Sequence, residues 1–403
     1  MTANQREGNR ARATLATCGT THFIHDGFSD ALFVLFPVWA QAFGLSLTQV
    51  GILKTVYSGA LSSLQLPAGF LAERVGERGL LAIGTVITGL SFIALGFASG
   101  FLALLVCLLF AGLGSATQHP LCSALVARTY ANGARRAALG TYNFTGDLGK
   151  VAVPALVALG VAAIGWRGSA MAYGALGVAA AFGIFFVLKA LAAGARPTLA
   201  QEHVATTAQL GWGIRHRRGF QVLSVIGVID SSTRTAFLTF LPFLLIAKGA
   251  EVKTVGFALA LVFAGGAAGK VLCGLGAARF GIVRTAILTE LITGGGILLV
   301  LVLSLDATLV FLPVVGFALN GTSSVLYGTV AEFTAPERQS RAFGLFYTIG
   351  IAASAAAPLV YGVISDLAGV TTTLMIVGLV VLTAAPLCQL LTSSLAAARR
   401  ELT

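Results

Sequence analysis

The sequence predicts an all-α integral membrane fold in which twelve transmembrane helices form two pseudo-symmetric bundles of six. Three observations lead to this fold class: long apolar runs, a low share of charged residues, and an internal repeat. Hydrophobic residues make up 57% of the 403-residue chain and charged residues 10%, whereas soluble domains carry about 25% charged residues. We therefore expect most of the surface to face lipid.

Apolar runs long enough to cross a bilayer, which takes about 20 residues, recur along the whole chain. They lie near 17–41, 49–72, 79–98, 101–126, 137–161, 168–190, 219–246, 254–278, 283–304, 307–330, 341–364 and 370–394. The longest polar stretch divides the chain into a first bundle at 1–192, a cytoplasmic linker at 193–218 and a second bundle at 219–403.

Positive charge indicates which loops face the cytoplasm. With the N-terminus inside, the outer loops hold only Arg167, Lys248 and Lys253, and the inner loops hold most other Lys and Arg residues. Because cytoplasmic loops are enriched in these residues, we predict a bacterial-type inner membrane with both termini cytoplasmic. The net charge of +11 then reflects topology, and no nucleic-acid partner is expected. The five cysteines form no CxxC pair, so we expect neither a metal site nor a cofactor.

The two halves repeat each other. With the first half shifted by 205 residues (242 − 37), Pro37 aligns with Pro242 and Gly69 aligns with Gly274. Beyond a one-residue deletion, Gly146 aligns with Gly350. Such repeats are typical of secondary transporters, in which the solute site lies at the bilayer midplane between the repeats.

A charged motif follows the second apolar run, where residues 69–78 read GFLAERVGER. This segment resembles the signature of the major facilitator superfamily: Gly, three residues, an acid, a base, any residue, Gly and a base. Glu77 replaces the penultimate base, and the repeat copy has Ala278 in place of the acid. The resemblance implies the major facilitator fold and a cytoplasmic gate formed by charged residues of both copies: Glu73, Arg74, Arg78 and Arg279.

A finer resemblance joins three segments to the fosmidomycin-resistance family, which exports a phosphonate antibiotic by proton antiport. Residues 21–26 read THFIHD, residues 112–120 read GLGSATQHP, and residues 135–154 share the glycine and proline spacing of that family's fifth span. The chain departs from the family pattern at Leu121, where an acid is usual, and at Asp147 and Lys150. The resemblance implies efflux and drug resistance by a proton-coupled antiporter.

Charged residues inside the apolar runs indicate a polar cavity, because an unpaired charge within a bilayer is costly. They fall mainly on the runs that line the cavity in the fold implied by the resemblance. Fixed cations attract anions strongly in a low-dielectric site. We therefore expect a small organic anion to bind in a central charged cavity between the bundles, at Lys150, Arg234, Lys270, His25 and Lys54. Alternatively, neighbouring carboxylates such as Asp230, four residues before Arg234, neutralise these cations and leave a structural network.

Proton coupling needs a group that binds and releases a proton as the cavity closes and opens. Asp26 is the first candidate because it lies on a polar stripe of the first run, and His119 is the second because histidine titrates near neutral pH. His119 precedes a proline and could equally be structural. The full set of candidate proton-coupling residues is Asp26, Asp30, His119, Asp147 and Asp230.

These observations favour a monomeric, proton-coupled exporter that works by alternating access of the two bundles. Two other functions stay open at this point: an uptake symporter or exchanger for a small organic anion, and a membrane sensor that does not transport. An enzyme is not expected, because the sequence holds no catalytic triad, metal cluster or phosphate-binding loop.

Overall fold

The computed structural model describes residues 3–130, 132–195, 214–334 and 339–400. Within these ranges the regular secondary structure is helical. The described residues form no β-strand, and their one β-bridge is the isolated antiparallel pair of Ile214 and Thr334. The predicted all-α class is confirmed. Most of the predicted linker, residues 196–213, lies outside the described residues.

The helices follow one another with short connections. In chain order they are α1 Ala3–Phe43, α2 Leu47–Val75, α3 Glu77–Leu95, α4 Phe101–Ser115, α5 Gln118–Thr129, α6 Asn132–Ala190, α7 Arg217–Ala247, α8 Val252–Phe280, α9 Ile282–Val302, α10 Leu305–Val330, a short 3-10 helix Ala331–Phe333, α11 Gln339–Ala368, α12 Val370–Leu382 and α13 Ala384–Arg400.

Eight stretches of the described chain are long and apolar enough to cross a membrane. They are Glu77–Leu95, Phe101–Thr129, Ala137–Ala190, Val252–Phe280, Ile282–Val302, Leu305–Phe333, Ala342–Ala368 and Val370–Ala396. Helices α1, α2 and α7 are of similar length but carry buried charged residues, which lower their hydropathy. The chain is therefore a multi-pass membrane protein.

Helix α6 is longer than any single predicted span because it joins two of them. Gly165 interrupts its helical backbone with φ 72° and ψ 164°, a conformation that L residues with a side chain rarely adopt. The sequence analysis predicted separate spans at 137–161 and 168–190, so the break at Gly165 lies between them.

The chain divides into two compact units, one of residues 1–44 and 56–207 and the other of residues 45–55 and 208–403. The second unit thus includes the first turns of α2. In the first unit, α1 packs closely on α6, because Gly149 brings the α6 backbone against the Phe23 carbonyl. In the second unit, α8 packs on α10, where Gly316 lies against the Val262 carbonyl. Small residues permit this backbone approach, as is usual between membrane helices.

Candidate functional site

A buried carboxylate on α1 is the centre of a polar cluster in the first unit, which we call the Asp26 cluster: His22, Asp26, His119, Asp147 and Lys150. Asp26 is 5% exposed. Its Oδ2 atom lies 3.2 Å from His22 Nε2 and 3.3 Å from Lys150 Nζ, and its Oδ1 atom lies 3.6 Å from His119 Nε2. Helices α1, α5 and α6 each contribute to the cluster.

Lys150 connects two carboxylates in this cluster. Its ammonium lies 3.6 Å from Asp147 Oδ1, three residues earlier on α6, in addition to its contact with Asp26 on α1. Its side chain is 31% exposed. The spacing of Asp147 and Lys150 predicted the contact within α6, whereas the contact with Asp26 depends on how α1 and α6 pack.

Two contacts with Tyr142 fix the orientation of the His22 ring. Its Nδ1 atom lies 2.9 Å from the Tyr142 carbonyl oxygen, and its ring stacks on the Tyr142 ring with centroids 4.3 Å apart. The Tyr142 hydroxyl in turn accepts a hydrogen bond from Gln118 Nε2 at 2.8 Å. The sequence analysis assigned no role to His22, although its place four residues before Asp26 was a signal for this contact.

His25 lies in a separate network of hydroxyl groups. Its Nε2 atom is 2.9 Å from Thr85 Oγ1 on α3, and its Nδ1 atom is 3.3 Å from Ser115 Oγ on α4. The Tyr57 hydroxyl continues this network, 2.7 Å from Ser29 Oγ. Since both ring nitrogens of His25 have hydroxyl partners and the residue is buried, these contacts hold α1 against α3 and α4.

The Asp26 cluster also has the donor types of a metal site. Ligand atoms of His22, Asp26 and His119 lie within 4.8 Å of one another. However, the Lys150 ammonium already places a positive charge 3.3 Å from the carboxylate that would have to bind the ion. A divalent cation there would meet this charge at close range, so we assign no metal to the cluster.

The second unit has a charged group of its own on α7. Arg234 lies 3.4 Å from Asp230 Oδ2, one turn away, and donates to Ser323 Oγ on α10 at 2.9 Å. Ser323 also donates to Asp230 Oδ2 at 3.3 Å. Asp230 is buried, while the Arg234 side chain is 22% exposed. The spacing predicted the Asp230–Arg234 pair, and the structure adds Ser323.

Glu290 on α9 is a buried acid of the second unit. It is 0% exposed, and neither carboxyl oxygen has a hydrogen-bond partner among the residues the structure describes. Helix α9 packs against α10, α12 and α13. No role for Glu290 was predicted from its position in the sequence.

The remaining predicted binding and coupling residues are at or near the interior of their units. Lys54 on α2 and Asp30 on α1 are buried, and Lys270 on α8 is half-buried. Each of the three takes part in a hydrogen bond or electrostatic interaction.

The charged motif at residues 69–78 extends from the end of α2 into the start of α3. Glu73 and Arg74 are exposed, and their place in a gate stays a prediction. The buried acid is Glu77 at the start of α3, which forms an ion pair with Arg128 at the end of α5. Glu77 appeared in sequence only as a departure from the family pattern, so its role was missed.

The two other predicted gating residues contact aromatic rings. The Arg78 guanidinium lies 5.5 Å from the Phe185 ring centroid, and its backbone N–H donates to the Gly194 carbonyl at 2.9 Å. The exposed Arg279 lies over the neighbouring Phe280 ring at 5.6 Å.

Comparison with known proteins covers nearly the whole chain. A family model described as Major Facilitator Superfamily matches residues 18–229 and 223–399. A probable L-galactonate transporter of Escherichia coli (strain K12) is 27% identical over 256 residues, covering 58% of this chain and 54% of that protein. The fosmidomycin resistance protein of the same organism is 26% identical over 159 residues, covering 39% of each chain. The chain spans about half the length of the curated relatives that it matches.

Solved structures show the same fold. The crystal structure of a bacterial homolog to the human lysosomal transporter Spinster, in an inward-facing and unoccupied conformation, superposes with a TM-score of 0.82. The match covers 96% of this chain and 98% of that chain at 15% sequence identity. At this identity the likeness concerns the fold alone.

Proposed function

Because the chain belongs to the major facilitator superfamily, we propose that it is a proton-coupled antiporter that exports a small organic anion or phosphonate-like compound. Membership of the family makes it a secondary transporter and not an enzyme. We further propose twelve spans with both termini in the cytoplasm of a bacterial inner membrane, and transport by alternating access.

The observation that carries proton coupling is the convergence of three basic side chains on one buried carboxylate. Asp26 has His22, His119 and Lys150 within 3.6 Å. A membrane protein gains nothing in stability from burying so many ionisable groups, since each is costly to transfer from water. A role in proton transport would explain why these groups are buried despite that cost. By binding one proton, the cluster can become neutral when the cavity closes and water leaves it.

The anionic solute is proposed from the geometry of Arg234. A guanidinium has five N–H donors, and in this structure Arg234 directs donors at Ser323 Oγ and Asp230 Oδ2. The side chain is partly exposed, so its other donors are available to a carboxylate or phosphonate, which arginine binds in a bidentate way. L-galactonate, the solute named for one relative, is such a carboxylate.

The test is transport by purified protein in liposomes with an imposed pH gradient. Labelled anions, with L-galactonate and fosmidomycin first, would be placed inside or outside in separate experiments. We expect the solute to move against the direction of proton flow. Movement in the same direction would identify an uptake symporter, the second function considered. Absence of gradient-driven movement for every anion, with a cation accepted instead, would contradict the proposal.

A further inference from the structure

The tautomer of His22 is fixed by its neighbours. Its Nδ1 atom lies 2.9 Å from the backbone carbonyl oxygen of Tyr142. A carbonyl oxygen only accepts hydrogen bonds, so Nδ1 must carry a hydrogen and donate it. In neutral His22, the Nε2 atom then has a lone pair and no hydrogen.

This lone pair points at a carboxylate. Nε2 lies 3.2 Å from Asp26 Oδ2. Two acceptors at this distance repel each other, and an additional proton between them converts the contact into a hydrogen bond. The His22–Asp26 pair is therefore a site for one proton.

Lys150 indicates which partner keeps that proton. Its ammonium lies 3.3 Å from the same Asp26 Oδ2 atom, and His119 Nε2 lies 3.6 Å from Oδ1. A carboxylate beside an ammonium is held in its charged form, because protonation would remove an attractive interaction. The proton therefore rests on the imidazole.

We propose that His22 Nε2 is the atom that binds the exchangeable proton, with Asp26 as its fixed counter-charge and the Tyr142 carbonyl as the group that sets its tautomer. The location of the proton site follows from these contacts alone. That its proton is the one transported rests on the proposed function. With the proton bound, His22 and Lys150 balance Asp26 and Asp147, and these four groups sum to zero charge. Without it, they sum to −1.

Other titratable groups contact this pair or Lys150, or interact with one of them electrostatically. They are His25 and Asp30 on α1, Tyr57 on α2, His119 on α5, and Tyr142, Asp147 and Lys150 on α6. His119 is the nearest ring besides Tyr142, with its centroid 5.0 Å from that of His22. Its side chain is 41% exposed, so it is the member of the cluster most open to exchange protons with water.

Gly146 on α6 lies directly against the His22–Asp26 pair, and its lack of a side chain leaves room for their contact. A Cβ atom at this position would collide with His22 Nε2 and lie 2.7 Å from Asp26 Oδ2. Gly146→Ala should therefore separate the pair. Gly140, six residues earlier on the same helix, has nothing within 4 Å of its Cβ position, so Gly140→Ala is a matched control.

The test is ¹⁵N nuclear magnetic resonance of histidine-labelled protein in lipid nanodiscs. The chain has five histidines, and His22→Gln identifies the His22 signals by their loss. As the pH is lowered, we expect His22 to change from the Nδ1–H tautomer to a doubly protonated ring. An Nε2–H tautomer of the neutral ring, or a ring that never becomes doubly protonated, would overturn the proposal.

Transport provides a second readout. His22→Gln keeps a donor toward Asp26 but cannot exchange a proton, so gradient-driven transport should be lost while solute exchange across liposomes without a gradient continues. Gly146→Ala should reduce gradient-driven transport at least about tenfold, and Gly140→Ala should leave it unchanged. Normal gradient-driven transport by His22→Gln would overturn the role of His22. If the parent protein shows no proton coupling at all, the proposed function fails, while the resonance result still decides the site.

Discussion

Replacing Arg234 by lysine tests whether its guanidinium binds the solute. Arg234 contacts Ser323 Oγ at 2.9 Å and Asp230 Oδ2 at 3.4 Å with different terminal nitrogens. Lysine keeps the charge but concentrates its donors on one nitrogen, so it cannot hold these partners and a carboxylate in the same planar arrangement.

The size of the effect follows from the hydrogen bonds that lysine cannot replace. A hydrogen bond to a charged group contributes about 1.5–3 kcal/mol. Loss of one of the two bonds in a bidentate contact should therefore weaken binding at least about tenfold, which corresponds to about 1.4 kcal/mol. The charge at this position is unchanged, so long-range attraction of the anion should persist.

The assay is equilibrium binding of the labelled anion to purified protein. Arg218→Lys is a matched control, because Arg218 lies on the same helix and is exposed. We expect the dissociation constant to rise for Arg234→Lys alone. If both variants bind as tightly as the parent protein, Arg234 is a structural partner of Asp230 and the anion hypothesis is refuted.

Three further predictions concern stability, the charged motif and topology. Glu290→Met should raise the thermal unfolding temperature in detergent, since a buried acid with no hydrogen-bond partner in the described part of the chain costs about 1–3 kcal/mol; a lower temperature would contradict this. Glu77→Gln should lower that temperature by an amount equivalent to about 1–2 kcal/mol, because it breaks a half-buried ion pair, whereas exposed Glu73→Gln should not; equal effects would refute the distinction. Cysteines at the exposed positions Ser99 and Ala195 should be labelled by an impermeant reagent from opposite sides of the membrane, Ser99 from outside, and the reverse pattern would invert the topology.

Contacts within one helix could be predicted from sequence. Helical geometry alone places residues three or four apart on one face, and it predicted the pairs Asp147–Lys150 and Asp230–Arg234, which lie 3.6 Å and 3.4 Å apart. The all-helical class followed from the apolar runs for the same reason, because backbone hydrogen bonds inside a bilayer must be made within each segment.

Contacts between helices could not be predicted in this way. The approach of Lys150 to Asp26 depends on the packing of α1 against α6, and the contact of Arg234 with Ser323 depends on that of α7 against α10. Their partners are far apart in sequence, so no periodicity relates them. Similarly, Glu73 and Glu77 lie four positions apart, and only the start of α3 determines that Glu77 is the buried one.

Proton movement driven by the solute tests proton coupling through the Asp26 cluster most directly. Liposomes containing the protein and a pH-sensitive dye would receive the anion on one side with no initial pH gradient. Anion movement should drive protons the opposite way in the parent protein. Asp26→Asn should abolish this proton movement while binding of the anion remains measurable, and Glu251→Gln, at an exposed acid paired with Lys253, should preserve it. Proton movement of equal size in Asp26→Asn would show that protons do not pass through the Asp26 cluster.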